Sequence, residues 1–370
     1  VSRALILGTL AGQVDAVEAL RARGVEVHTC GHRAEGPGVT AADAFHLVDI
    51  TDIDAVAALA EREEYDLVYS VGSDIAMPTV TAVSERLGLP LFHGSALTAV
   101  LRQKHVMRER LAHLPWGSVE NLTVPPGGSV EGWSTYPAIV KPDDSQGQRG
   151  ITIVHDGAAL ASAVAFAREH SRGGVVVVEQ LLQGPEVSAH VVVADGEPTL
   201  ILPSDRHVWD GPLVGIPRAH TIEKPDPEFH AVVTRLVTEC VEALGVREGP
   251  LYFQMIVTGK GPRVVEIASR LDGCHLWRLI KLSTGVDLLD AVLGRLLGEP
   301  WPTWDATANP QPMTLEFFLD SPDTVVTEEL RSALTDPNAA FVEWQVDDGT
   351  APRRTNDVVA RLGYQVRAGT

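Results

Sequence analysis

The sequence predicts an α/β protein: an N-terminal Rossmann-like parallel-sheet domain, followed by α+β parts in which strands return on themselves. Three observations carry this expectation. Residues 1–95 alternate short apolar runs with amphipathic stretches, which reads as βαβ units and hence as a parallel sheet with helices on its faces. Beyond residue 113, Pro and Gly breaks become frequent and the apolar runs come in close pairs. The chain has 370 residues, 45% of them hydrophobic, which is enough for two or three domains around sizeable cores.

In order, "RALILG", "VEVHTC", "AFHLVDI" and "YDLVYSVG" read as four strands. The amphipathic "QVDAVEALRARG", "IDAVAALAEREE" and "MPTVTAVSERLGLP" read as helices, the last ending at Gly88. Residues 95–113 read as one helix with Ser95 as its N-cap. "YPAIVKP", "GITIV", the helix "GAALASAVAFAREHS" and "GVVVVEQLL" form a small βαβ-like unit. Residues 185–300 alternate strands with two long helices, 227–244 and about 275–297. "MTLEFFL", "AAFVEWQV" and "YQVRAG" read as strands of a mixed C-terminal part. The expected divisions are 1–95, a linker helix 96–118, a small unit 119–184, a large unit 185–300 and a C-terminal subdomain 301–370.

A formal charge of −19 argues against nucleic acid or an anionic membrane as partner. Five lysines stand against twenty-five arginines, so a lysine placed at a loop mouth carries more information than in a Lys-rich chain. Three widely spaced cysteines (30, 240 and 274) show neither a disulfide framework nor zinc spacing, and a cytoplasmic location is the expectation. No stretch reaches transmembrane length. "GTLAGQ" after the first strand lacks the three-glycine dinucleotide fingerprint, so a nicotinamide cofactor is disfavoured.

The most informative stretch is "IVKPDDSQGQRGITIV", residues 139–154. A strand ending in Lys141 turns through small and polar residues with Gly147 and Gly150, and such a nest of backbone N–H groups can hold phosphate. Taken alone it is equally a hairpin turn beside a surface lysine. Three other stretches accompany it in order: "LRQKHVMRERL", "VVVVEQLLQGPEVSAHVVV" and "LYFQMIVTGKGPRVVEIASRLDG".

Together these four stretches resemble the ATP-grasp superfamily of carboxylate–amine ligases, nearest to its amino-acid ligase and carbamoyl-phosphate-synthetase-like branches, over residues 1 to about 300. The resemblance implies an ATP-grasp fold, ATP as cosubstrate, Mg²⁺ (with Mn²⁺ as a substitute), and a homodimer acting on a small-molecule carboxylate and an amine. It implies that Lys104 and Lys141 face the nucleotide phosphates and that Ser145, Gly147 and Gln148 belong to the loop covering them. Glu179 with Gln180 and Leu182 would bond the adenine edge, and Glu186 the ribose hydroxyls. Gln254 and Glu266 match metal-ligand positions, and Arg270 matches the arginine that steadies the transferred phosphate. Lys141, Glu266 and Arg270 are thus the expected catalytic groups. An Arg270 paired with Asp272 is the structural alternative. Two departures stand out. Gln254 is neutral where relatives carry an acid, and Ala268 replaces an asparagine.

For the substrate, the polar stretch 203–221 offers Arg206, His207, Trp209 and Arg218, and the segment after Arg270 offers His275 and Arg278. Its length favours an organic acid over bicarbonate. Three readings stay open: an ADP-forming ligase making an amide or peptide bond, a bicarbonate-using carboxylase-type enzyme, and a nucleotide-binding module without turnover.

Overall fold

A computed structural model describes residues 2–145, 149–209, 215–224, 226–304, 310–350, 352 and 359–369. The N-terminal part runs β1 (Arg3–Leu7), α1 (Ala11–Ala22), β2 (Glu26–Gly31), α2 (Gly38–Ala41), β3 (Ala44–Leu47), α3 (Ile53–Arg62), β4 (Leu67–Tyr69) and α4 (Met77–Leu87). Its strands are parallel in the order β3-β2-β1-β4. The order reverses between β1 and β4, so a crevice opens at their carboxyl ends, where open α/β sheets bind ligands. Ala4 to Leu7 are fully buried, as an inner strand covered on both faces must be. Gly88 closes α4 in the left-handed conformation, φ 67°.

The single helix expected over 95–113 is two: α5 (Ser95–Arg102) and α6 (Lys104–Leu111). Gln103 breaks them with an extended ψ of 106°. Ser95 is not a cap. Gly94 holds that position, and the Ser95 hydroxyl donates to Glu85 at 2.6 Å.

The next unit contains β5 (Asn121–Val124), β6 (Ala138–Pro142), β7 (Thr152–Val154), α7 (Leu160–Glu169) and β8 (Val176–Gln180), in the sheet order β5-β8-β6-β7. Every pairing in it is antiparallel. The expected βαβ unit is therefore split: α7 connects β7 to β8, which run the same way on either side of β6.

The rest of the chain forms β9 (Glu186–Ala194), β10 (Glu197–Val208), β11 (Pro217–Ile222), α8 (Pro227–Leu244), β12 (Gly249–Thr258), β13 (Gly261–Ala268), α9 (Leu276–Thr284), α10 (Leu288–Leu296), β14 (Met313–Asp320), α11 (Glu328–Leu334), β15 (Phe341–Trp344) and β16 (Ala360–Ala368). Eight strands make one sheet in the order β13-β12-β9-β10-β11-β14-β16-β15. The long helix expected over 275–297 breaks at Gly285, φ 78°. The stretch 203–221, expected as a loop, is mostly the end of β10 and the start of β11. One sheet face packs Val187, Ala189, Val191 and Val193 of β9 against Val233, Leu236 and Val237 of α8. Asp226 caps α8 through its side chain, with Pro227 as the first helical residue. Between β8 and β9, Gly184 sits at φ 147°, where a Cβ would lie 2.0 Å from the Val257 carbonyl oxygen. No other residue fits that link.

Candidate functional site

The face of the large sheet opposite α8 carries the site. Strand pairing puts Gln254 beside both Glu266 and Ser188, and Arg206 beside both Glu186 and His220. Residues two apart on a strand share a face, so Glu266, Gln254, Glu186, Ser188, Arg206 and His220 lie on one surface. Gln254 Nε2 donates to Glu186 Oε2 at 2.9 Å, and Arg206 donates to the same oxygen. The carboxylate thus claims the NH₂ end of the Gln254 amide. Its carbonyl oxygen is left as the end able to ligate a cation.

Opposite Glu266 stands Lys104, the first residue of α6. Its ammonium donates to the carbonyl oxygens of Asp143 (3.2 Å) and Ser145 (3.0 Å). Lys104, Ser145, Glu266, Ala268, Arg102 and Asp74 line a cavity of about 20 Å³. Gly147 and Gln148 lie outside the described residues.

Lys141 is next to last in β6 and is buried. Its ammonium lies 2.5 Å from Glu179 Oε2, and Arg108 Nε donates to Glu179 Oε1 at 2.8 Å. Arg108 also reaches across to the Val264 carbonyl of β13. Arg108 and Glu179 are each only 2% exposed. Burial alone would raise the Glu179 pKa, but the Arg108 and Lys141 charges outweigh it and hold the carboxyl well below its ordinary value. Burial pulls the Lys141 ammonium down, and Glu179 only partly restores it. The Glu179 carboxylate is therefore committed to two cations. At the end of β8, the Gln180 N–H donates to the Glu120 carbonyl at 2.9 Å. Gln180 and Leu182 line an open groove of about 890 Å³ that shares no lining residue with the Glu266 cavity.

Arg270 follows β13 and is buried. It does not pair with Asp272. It forms a two-point bond to Asp74, with Nε to Oδ1 at 2.7 Å. Asp272 instead accepts the backbone N–H groups of Cys274 (2.8 Å) and Leu276 (3.1 Å), opening α9. The loop after β4 thus meets the reaction side of the large sheet, and Gly72 (φ 65°) permits it. A Cβ there would lie 3.0 Å from the Asp272 carbonyl oxygen.

Of the six expected substrate residues, the structure brings only Arg206 to this face. Alternation turns His207 to the other side, where its Nε2 lies 3.0 Å from the Thr221 hydroxyl. Trp209 is 40% exposed and Arg218 is exposed. Arg278 donates to Asp15 of α1 at 2.5 Å and to the Tyr364 hydroxyl at 2.9 Å. The His275 ring stacks on Tyr364, with centroids 4.7 Å apart, and its backbone is left-handed (φ 57°). Both belong to a buried junction joining α1, α9 and β16. Asp74 and Arg108 were missed. Asp74 had a signal, an acid just past a parallel strand's carboxyl end. Arg108, one helical turn after Lys104, had another.

Comparison with known proteins now decides the family. The chain is 30% identical over 299 residues to the phosphoribosylamine–glycine ligase of Leifsonia xyli, covering 73% of this chain and 69% of that one. The chain belongs to the ATP-grasp ligases. Residues 130–299 match the family model for the carbamoyl-phosphate synthase L chain, ATP binding domain. Dapdiamide A synthase of Enterobacter agglomerans is 24% identical over 241 residues, 62% of this chain and 56% of that one. An L-amino acid ligase structure from Bacillus licheniformis shares the fold, with TM-score 0.83 and 19% identity over 100% of this chain and 93% of that one. This ATP-grasp chain is accordingly an ATP-dependent enzyme that forms carbon–nitrogen bonds. Among its described residues no helix is long and apolar enough to cross a membrane, and no group of three or more His, Cys, Asp or Glu could hold a metal.

Proposed function

We propose that the chain joins a small carboxylic acid, an amino acid in the best-supported case, to an amine through an acyl phosphate. The observation that carries this reading is the shared sheet face. It sets Glu266, Gln254, Glu186 and Arg206 side by side, with Lys104 across the cavity and Arg270 bonded to Asp74 in its wall. ATP would lie between the two sheets. The acid's oxygen attacks the γ-phosphorus, and the bond to the β-γ bridging oxygen breaks to release ADP. The amine nitrogen then attacks the acyl carbon, loses a proton, and expels phosphate. Lys104, Lys141 and Arg270 would neutralise charge as the phosphoryl group moves, which is most of what such a transfer needs from a protein. Entry of nucleotide would part the two sheets around the Glu266 cavity. Lys141 would then exchange Glu179 for phosphate.

Two protein donors, the Glu266 carboxylate and the Gln254 amide oxygen, fit Mg²⁺, which usually keeps waters and substrate phosphates in its shell and needs no protein cage. When bound it would supply charge neutralisation between phosphate oxygens. Ala268 offers no ligand, which fits one well-held ion better than two.

The test is ADP release from ATP and Mg²⁺ with pools of amino acids, and with bicarbonate alone. Amino-acid-dependent ADP formation supports the ligase. Bicarbonate-dependent formation without an organic acid supports the carboxylase reading. Nucleotide binding with no turnover in any pool would contradict the proposal. Homodimer formation is part of the same proposal and is checked by sedimentation.

A further inference from the structure

The two lysines expected at the phosphates are held in unlike ways. Lys104 donates to two backbone carbonyls, neutral acceptors that a phosphate can readily displace. Lys141 is bonded to Glu179, a carboxylate on β8 that is itself buried. Moving that ammonium to a phosphate takes a cation from a charge with no access to water, and a buried carboxylate left uncompensated is strongly destabilising. Either another cation covers the carboxylate or it takes up a proton.

The geometry of Arg108 suits the first outcome. It lies one helical turn after Lys104 on α6. Its guanidinium spans both oxygens of Glu179, Nε to Oε1 at 2.8 Å and Nη2 to Oε2 at 3.3 Å. Lys141 reaches only Oε2. Departure of Lys141 therefore leaves neither oxygen bare. The remaining arm of the guanidinium, Nη1, donates to the Val264 carbonyl of β13 at 2.5 Å, which fixes Arg108 from the large sheet. Beside Glu179, β5 sets Asn121 and β6 sets Ile139, both uncharged. Arg108 and Lys141 are the charges that act most strongly on its carboxyl group. Burial pulls the Lys141 pKa down, and repulsion from Arg108 and Lys104 adds to that. Lys141 is thus the one of the two cations that a phosphate can draw away. An arginine suits the place that stays filled, because a guanidinium keeps its proton when buried and forks onto a carboxylate.

We propose that Arg108 is a positioning residue for nucleotide binding: it keeps the Glu179 carboxylate charged and in place after Lys141 moves to the phosphates, so that the exchange takes up no proton. This rests on the proposed placing of Lys141 at the phosphates and adds the residue that frees it. Arg108 acts through Glu179 and Lys141, and its own bonds are to protein groups.

The first test follows the carboxyl group. Full-length protein carrying ¹³C at its glutamate carboxyls, with the Glu179 signal assigned by Glu179→Gln, is measured with and without Mg²⁺ and a non-hydrolysable ATP analogue. The Glu179 signal is expected at its ionised position in both states, and also in Lys141→Ala, where the lysine is gone for good. In Arg108→Met it should move to the protonated position when the analogue binds. A protonated Glu179 in the parent complex or in Lys141→Ala overturns the proposal, and so does an ionised one in the Arg108→Met complex.

The second test is calorimetry of analogue binding in buffers of differing ionisation heat, from about pH 6.5 to 8.5. Arg108→Met should take up about one proton more per nucleotide than the parent, so its affinity relative to the parent falls as pH rises. At the upper end it should bind about tenfold or more weakly. Arg108→Lys returns the charge and should restore the parent's proton count. Arg108→Met combined with Glu179→Gln should do so too, because no carboxylate is left to cover. A merely structural Arg108 would weaken binding with the proton count unchanged, and that result also overturns the proposal. Should Arg108→Met not fold, the carboxyl signals of the parent and of Lys141→Ala still decide. If Lys141→Ala binds the analogue as tightly as the parent, the placing of Lys141 at the phosphates fails by itself, and the carboxyl signal in that variant still shows whether Arg108 alone holds Glu179.

Discussion

The two faces of β9 make an instructive contrast. Val187, Ala189, Val191 and Val193 look toward α8 and pack into one apolar cluster. Glu186, Ser188 and His190 look the other way, and all three are polar although Ser188 and His190 are buried. The same nine residues thus serve stability on one side and chemistry on the other. Period-2 alternation normally separates core from solvent. Here it separates core from site, because helices and the N-terminal sheet cover the second face as well.

The largest effect that would break this contrast is on turnover. Lys141→Ala and Glu266→Ala are expected to cut substrate-dependent ADP formation by about 10³-fold or more, since each removes a charge that the proposed mechanism sets against the transferred group. Normal rates in either would contradict the site. For Glu266→Ala the melting temperature should stay near that of the parent. Arg108→Met should cost about 2–3 kcal/mol in denaturant unfolding, because it takes one of two cations from a buried carboxylate, and should weaken ATP binding as well. A variant as stable as the parent would show that Glu179 does not need its second cation. On the apolar side, Leu236→Ala should cost about 2–5 kcal/mol while leaving the kcat/KM ranking of acids untouched. A changed ranking would mean the two faces are not independent.

A smaller effect sharpens the contrast through pH. Burial lowers the His93 pKa to about 4, despite its bond to the Pro250 carbonyl, and burial also lowers those of His190 and His220. An unfolded chain takes up these protons near pH 6.5, earlier than the folded one. Stability is therefore complete above about pH 6.5 and falls on acidification toward pH 4, by up to about 1.4 kcal/mol per pH unit for each such ring. Urea midpoints measured from pH 7 to 4 test the sign.

The N-terminal sheet was legible because its strands are short and uniformly apolar and its helices strictly periodic. Strand direction was less so. Nothing in "YPAIVKP" or "GVVVVEQLL" states that β6 runs against β8, since alternation is blind to polarity. Gly285 marked a helix break that the sequence displayed and the periodicity overrode, while Gln103 carries no such mark. That Glu266, Gln254 and Glu186 share a sheet face was readable from a pattern confined to adjacent strands. Partners distant along the chain were not. Arg270 finds Asp74, 196 residues away, and Arg108 finds Glu179, 71 residues away. Pairing of that kind is decided by packing, and a single sequence records only its two halves. His207 was misplaced for a simpler reason: a stretch taken for a loop is strand, and one residue of register sends a side chain to the wrong side.

The bond between Arg270 and Asp74 has a practical corollary. The arginine proposed for the reaction centre is steered by a loop that belongs to a different sheet. Substitutions around residues 72–76 would therefore act as a tuning dial for rate. Anyone seeking new products from this scaffold by laboratory evolution would do well to randomise that short loop first.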